Sequence, residues 1–227
     1  MTGVVAAGSG VRAPLLSDLG LASERPLFLI DVDEVLGLFV QAFGRFAETR
    51  GMELRVDGYA LFRNLYRTGR DEPVEAEDAK ALLADFFRTG SGEMEPAPGA
   101  VETLAALSRD AGVIVLTNAP PHGRLARARW LGRWGLDYPL VLNSGPKGPL
   151  AAALAAQSQG PVAFVDDLIS NLDSVAEHAP QVARFQMVAD PRLRPFAPSA
   201  PEKHRRIDDW LELEAELQAL ISAHPRR

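Results

Sequence analysis

The chain has no cysteine in 227 residues. Disulfides, thiolate nucleophiles and cysteine-ligated zinc are therefore excluded. Its four histidines show no metal-ligand spacing, so an imidazole-based centre has no support either. Basic residues are in deficit. Lys and Arg number 24 against 30 Asp and Glu, a formal net charge of −6, whereas nucleic-acid binders carry a basic excess. No apolar run reaches the length of a membrane span, and the opening "MTGVVAAGSGVRAPLLSDLG" lacks the basic and apolar regions of a signal peptide. The expectation is a cytoplasmic monomer or homodimer with neither nucleic-acid nor membrane partners. Neither GxxxxGK[ST] nor GxSxG occurs, which removes P-loop and nucleophile-elbow chemistry. "AAGSGV" is only part of a GxGxxG turn, and residues 1–22, rich in Gly, Ala and Ser, read as a flexible lead-in.

What is present is a hydrophobic content of 47%, enough for one core with a smaller insert. Five short apolar runs stand out: "PLFLID" (26–31), "AGVIVLTNAP" (111–120), "YPLVLNSGP" (138–146), "GPVAFVDDL" (160–168) and "QVARFQMVAD" (181–190). Continuous apolar runs suit strands buried on both faces. Helical patterns separate them: "PGAVETLAALSR" (98–109), "PLAAALAAQ" (149–157) with Pro149 at a first helical position, and "NLDSVAEH" (171–178). Strands alternating with helices predict an α/β fold, a Rossmann-like three-layer core around a parallel sheet of about five strands. Ile207, Trp210, Leu217 and Ile221 share a face of a terminal helix that packs on this core.

Residues 37–96 break the rhythm. "LFVQAFGRFAETRG", "VDGYALFRNLYR" and "EAEDAKALLADFFR" each read as helical, and together they are too long for one crossover. They predict a small all-helical cap inserted after the first strand, dividing the chain into a lead-in (1–22), a core (23–36 and 97–227) and a cap (37–96). The aromatics Phe39, Phe43, Tyr59, Phe62 and Tyr66 read as cap core rather than substrate contacts. The arginines of "HGRLARARWLGRW" (122–134) read as a solvated helix face.

In an open parallel sheet, ligands sit at the carboxyl ends of the strands. There the runs end in Asp31 and Asp33, in Thr117-Asn118, through "NSGPKG" in Lys147, and in Asp166-Asp167, with Asn171 four positions on. Crowded carboxylates raise one another's pKa, and a divalent cation removes the conflict. An all-oxygen ligand set suits Mg²⁺. With an ammonium and a hydroxyl alongside, the set describes a phosphoryl site. One carboxylate is then free to attack phosphorus, and a second, two residues on, to move the proton.

These segments resemble, in order, the four motifs of the haloacid dehalogenase (HAD) superfamily: "DVDEV", "VIVLTN", Lys147 and "FVDDLISN". The resemblance covers roughly residues 26–190. It implies that Asp31 is the nucleophile and a metal ligand, and that Asp33 is the general acid/base with its carbonyl oxygen on the metal. It also implies that Thr117, Asn118 and Lys147 bind phosphate, that Asp167 and Asp166 ligate the metal, and that Asn171 stands behind them. The implied activity is Mg²⁺-dependent hydrolysis of a small phosphorylated substrate. The alternatives are a dehalogenase, which usually lacks an acid at the position of Asp33, a phosphotransferase, and a non-catalytic binding domain. Glu34 replaces the commoner Gly of the first motif, as a surface charge or a substrate contact. Arg45 is the leading cap residue to reach the site.

Overall fold

The five apolar runs are strands in the computed structural model, which describes residues 13–224. Strand β1 (Leu27–Ile30) leads into an insert of α1 (Phe39–Glu48), β2 (Met52–Leu54), β3 (Leu65–Arg67) and α2 (Ala76–Asp85). The core resumes with α3 (Ala100–Leu107), β4 (Gly112–Thr117), α4 (Arg124–Arg133), β5 (Leu140–Leu142), α5 (Gly148–Ala155), β6 (Val162–Asp166), α6 (Ile169–His178) and β7 (Ala183–Gln186). It closes with β8 (Arg205–Arg206) and α7 (Trp210–Ser222). The six strands of the core form one parallel sheet in the order β5-β4-β1-β6-β7-β8. Its sixth strand escapes sequence reading because β8 is two arginines long.

Side chains alternate between two apolar layers. Phe28, Ile30, Val113, Val115, Ala163 and Val165 face the layer of α3, α4 and α7. Leu27, Leu29, Ile114, Leu116, Val162 and Phe164 face the layer of α5 and α6. Burial on both faces is why these strands carry no polar alternation. The second layer also takes in Leu16 and Leu19, so residues 13–22 pack as a turn and are not a loose lead-in. "AAGSGV" lies outside the described residues.

Register places the site. Ile30 is level with Val115 of β4 and Val165 of β6, so Asp31 emerges beside the end of β6, where its N–H donates to the Val165 carbonyl at 3.0 Å. The chain leaves β1 toward β4 and β5, then returns to β6 on its other side, which makes this rim the switch point of the sheet. Close packing of α5 on α6 fixes Lys147. A Cβ on Gly148 would lie 2.1 Å from the Ser174 carbonyl oxygen, so only glycine lets the chain approach there.

The insert is not all-helical. "VDGYALFRNLYR" forms a 3₁₀ turn and strand β3, antiparallel to β2 with Leu54 level with Leu65. The turn signals Gly51 and Asp57-Gly58, which bracket β2 and its loop, outweigh the helical spacing of its aromatics. The insert's core is an aromatic cluster: the Phe86 ring packs edge-on against Phe39, Phe43 and Phe46 at 5.3–5.5 Å. Entry and exit segments run side by side. Leu38 N–H donates to the Glu95 carbonyl at 2.9 Å and Ala97 N–H to the Leu36 carbonyl at 2.8 Å.

Candidate active site

Asp31, at the end of β1, is buried, and its Oδ1 lies 2.8 Å from Lys147 Nζ. This oxygen makes no well-aligned hydrogen bond. Lys147, at the start of α5, also donates to Asp166 Oδ2 at 2.6 Å. Burial pulls the Lys147 ammonium down, but the carboxylates of Asp166 and Asp31 outweigh it and hold its pKa above the ordinary lysine range.

Asp166 and Asp167 play different parts. Asp166 Oδ1 accepts the Leu168 N–H at 3.0 Å and the Asn171 side-chain amide at 2.9 Å, so with Lys147 on Oδ2 its acceptor capacity is committed to protein donors. Asp167 accepts one side-chain hydrogen bond, from the Tyr59 hydroxyl at 2.6 Å. Burial raises the pKa of both, and the charge of Asp31 adds to it; for Asp167 the Asp166 carboxylate does so too.

One oxygen each from Asp31, Asp166 and Asp167 lies within 4.8 Å of the others. Asp31, paired with Lys147 through Oδ1, and Asp167, which accepts a single side-chain hydrogen bond, offer hard carboxylate oxygens that fit a divalent cation with oxygen preference, with Asp166 beside them. Thr117 Oγ1, at the end of β4, is buried without a partner. A hydroxyl in that state costs free energy unless a ligand satisfies it. Asn118 reaches the rim, but its side chain staples the loops: its amide donates to the Gly145 carbonyl at 3.0 Å and its Oδ1 accepts from Asn143 at 2.8 Å.

Asp33 has a partner that the motif does not contain. Arg127 Nη2 donates to both of its carboxylate oxygens, at 2.7 and 2.9 Å. Arg127 lies on α4 and is fully buried, which corrects the expectation of a solvated arginine face for this residue. Its spacing from Trp130 and Leu131, three and four positions on and both buried, was the available signal. Burial raises the Asp33 pKa despite the opposing Arg127 charge.

Glu34 is not a surface charge either. Its backbone is left-handed at φ 59°. Its two carboxylate oxygens accept the Val40 N–H at 2.7 Å and the Asp190 N–H at 2.9 Å, joining the first turn of α1 to the loop after β7. Burial pushes its carboxyl up to about 7 against those two hydrogen bonds. Tyr59, expected among the cap's core aromatics, faces the site. Burial and then Asp167 push its pKa up, so it stays a proton donor to that carboxylate. Arg45 does not reach the site; it sits exposed, donating to the Glu93 carbonyl at 3.4 Å.

No family model matches the sequence, and neither does any curated protein. Among solved structures, a haloacid dehalogenase-like protein of unknown function from Agrobacterium tumefaciens superposes with a TM-score of 0.57 at 15% identity, over 86% of this chain and 98% of that one. This chain has the HAD-like fold. YfnB of Bacillus subtilis, a HAD-type protein determined with bound magnesium, matches with a TM-score of 0.57 at 15% identity, over 85% and 98% of the two chains. CbbY of Rhodobacter sphaeroides, in complex with xylulose bisphosphate, matches with a TM-score of 0.55 at 14% identity, over 83% and 96%. Of the rim residues expected from the sequence, Asp31, Asp33, Asn118, Asp167 and Asn171 line one cavity together with Glu34 and Tyr59, while Lys147 and Asp166 lie behind Asp31 and Arg127 behind Asp33.

Proposed function

We propose that the chain is a Mg²⁺-dependent phosphatase that hydrolyses a small phosphate monoester through an aspartyl-phosphate. The observation that carries this reading is Asp31: a buried carboxylate at the end of β1, ion-paired with Lys147 at 2.8 Å and within the three-aspartate cluster. Asp31 and Asp167 would hold the cation, which when bound neutralises phosphoryl oxygens and screens the nucleophile from them. That YfnB was determined with magnesium agrees with this choice of ion.

Asp31 attacks phosphorus, and the bond to the ester oxygen breaks. Asp33, oriented by Arg127, protonates the departing oxygen. Asp33 then takes a proton from water, which attacks the same phosphorus and releases Asp31 and inorganic phosphate. Lys147 and the Thr117 hydroxyl bind phosphoryl oxygens throughout. Asp166 keeps Lys147 in place. Residues 37–96 act as a cap that covers the site and excludes water from the intermediate.

The test is hydrolysis of p-nitrophenyl phosphate and of a panel of phosphorylated metabolites, with Mg²⁺ and with chelator. Turnover that needs Mg²⁺ supports the reading, and full activity in chelator overturns it.

A further inference from the structure

Above the aspartates, the insert roofs a cavity of about 250 Å³. Its apolar wall is Phe39, Val40 and Leu61 from the insert and Leu168 and Leu193 from the core. Glu34 and Tyr59 also line it, but both are engaged, Glu34 with two backbone N–H groups and Tyr59 with Asp167. Among the described residues that line the cavity there is no Lys, Arg or His.

Three cations near it are occupied. Lys147 lies between Asp31 and Asp166, and Arg127 is paired with Asp33. Arg192, next to Leu193 in sequence, is held by Asp190 at 2.6 Å. Displacement at phosphorus runs in line, so the leaving oxygen lies opposite Asp31 and its substituent extends into this chamber. A second anion there would meet Glu34 and the apolar wall, while Arg127 is taken up by Asp33 and a cation on Asp31 and Asp167 would already be engaged by the phosphoryl oxygens.

We propose that the site selects phosphate monoesters whose alcohol part is small and carries no second anionic group, and rejects bisphosphates and phosphorylated carboxylic acids. The inference rests on the phosphatase reading above. Like charges brought together in a closed site cost several kcal/mol, so the expected discrimination is on the order of 100-fold in kcat/KM. The chamber also lies below the roughly 300–1,000 Å³ of sites for larger ligands.

The experiment compares α-glycerol phosphate with phosphoglycerate, which differ by a terminal CH₂OH or carboxylate, using the full-length protein and p-nitrophenyl phosphate as a common reference. Wild type should prefer glycerol phosphate. Leu61→Lys and Leu168→Lys each place an ammonium at the chamber from a partly exposed position. In these variants the preference should fall by about tenfold, with melting temperatures near wild type. Equal or better use of phosphoglycerate by wild type overturns the inference, as does an unchanged preference in both folded variants. Absence of discrimination in wild type, with p-nitrophenyl phosphate still hydrolysed, condemns the selectivity alone. No turnover of any ester by wild type condemns the phosphatase reading, and this inference with it.

Discussion

The rim of the sheet and the insert above it are held together by opposite means. On the rim, Asp31, Asp166 and Lys147 are buried charges that satisfy one another. In the insert, a phenylalanine cluster forms the interior, and the ion pairs, such as Arg50 with Asp85 at 2.8 Å, lie near the surface. Buried ion pairs add little net stability over an apolar equivalent, but removing one partner is costly. The rim therefore gives up stability to hold charged groups in fixed positions, while the insert is an ordinary small core.

The sharpest break in this contrast is Asp31→Asn. Turnover should fall by on the order of 10⁴-fold or more, as for loss of a nucleophile elsewhere, with the melting temperature unchanged or raised. Near-normal turnover would remove Asp31 from the mechanism. Next comes a matched pair, Lys147→Met and Phe86→Ala. The first strands buried carboxylates, at about 3–5 kcal/mol; the second opens a cavity, also at about 3–5 kcal/mol. Denaturant midpoints should drop alike, yet only the Phe86 variant should keep p-nitrophenyl phosphatase activity in its folded fraction.

Arg127→Met tests whether the acid/base needs its partner. Alkyl phosphates, whose leaving oxygen must be protonated, should slow by about 100-fold, and p-nitrophenyl phosphate far less. Parallel losses on both esters would reduce Arg127 to a structural prop.

A smaller effect is linked to pH. Asp33, Asp166 and Asp167 have raised pKa values in the fold, and Glu34 rises to about 7. The folded metal-free protein thus binds protons more tightly than the unfolded chain. The stability these groups lend is complete below their unfolded pKa and is lost as pH rises, through about 7 for Glu34. Scanning calorimetry should find a lower melting temperature at pH 8 than at pH 5 without metal, and Mg²⁺ should close most of the gap. Asp167→Asn should raise the metal-free value at pH 8 and abolish the Mg²⁺ response. The smallest change is Arg50→Ala in the insert, worth less than about 0.5 kcal/mol in chemical denaturation.

The meeting of the rim residues at one edge was legible because each closes an apolar strand, and parallel register then carries those ends together. Asp31, Thr117 and Asp166 needed no knowledge of side-chain packing. The insert was less legible because three or four residues of spacing between aromatics suits both a helix and a turn followed by a strand. Tyr59 was misplaced for that reason. Arg127 was hidden by its own neighbours: in a run of four arginines, only the buried face of α4 distinguishes the one that turns inward. Glu34, left open as a surface charge or a substrate contact, could not be placed because its partners are backbone N–H groups, which leave no trace in composition.

The paired segments at the base of the insert have a mechanical consequence. Two independent tethers would let the insert swivel and slide. The hydrogen bonds from Leu38 to Glu95 and from Ala97 to Leu36 join the tethers into a ribbon, which resists shear in its own plane and flexes easily only across its flat face. Any excursion of the insert is then confined to a single arc, and Glu34, clamped to Val40, anchors the near end of that arc. Tyr59, at the far side of the insert from this ribbon in sequence, ties the insert to the rim through Asp167.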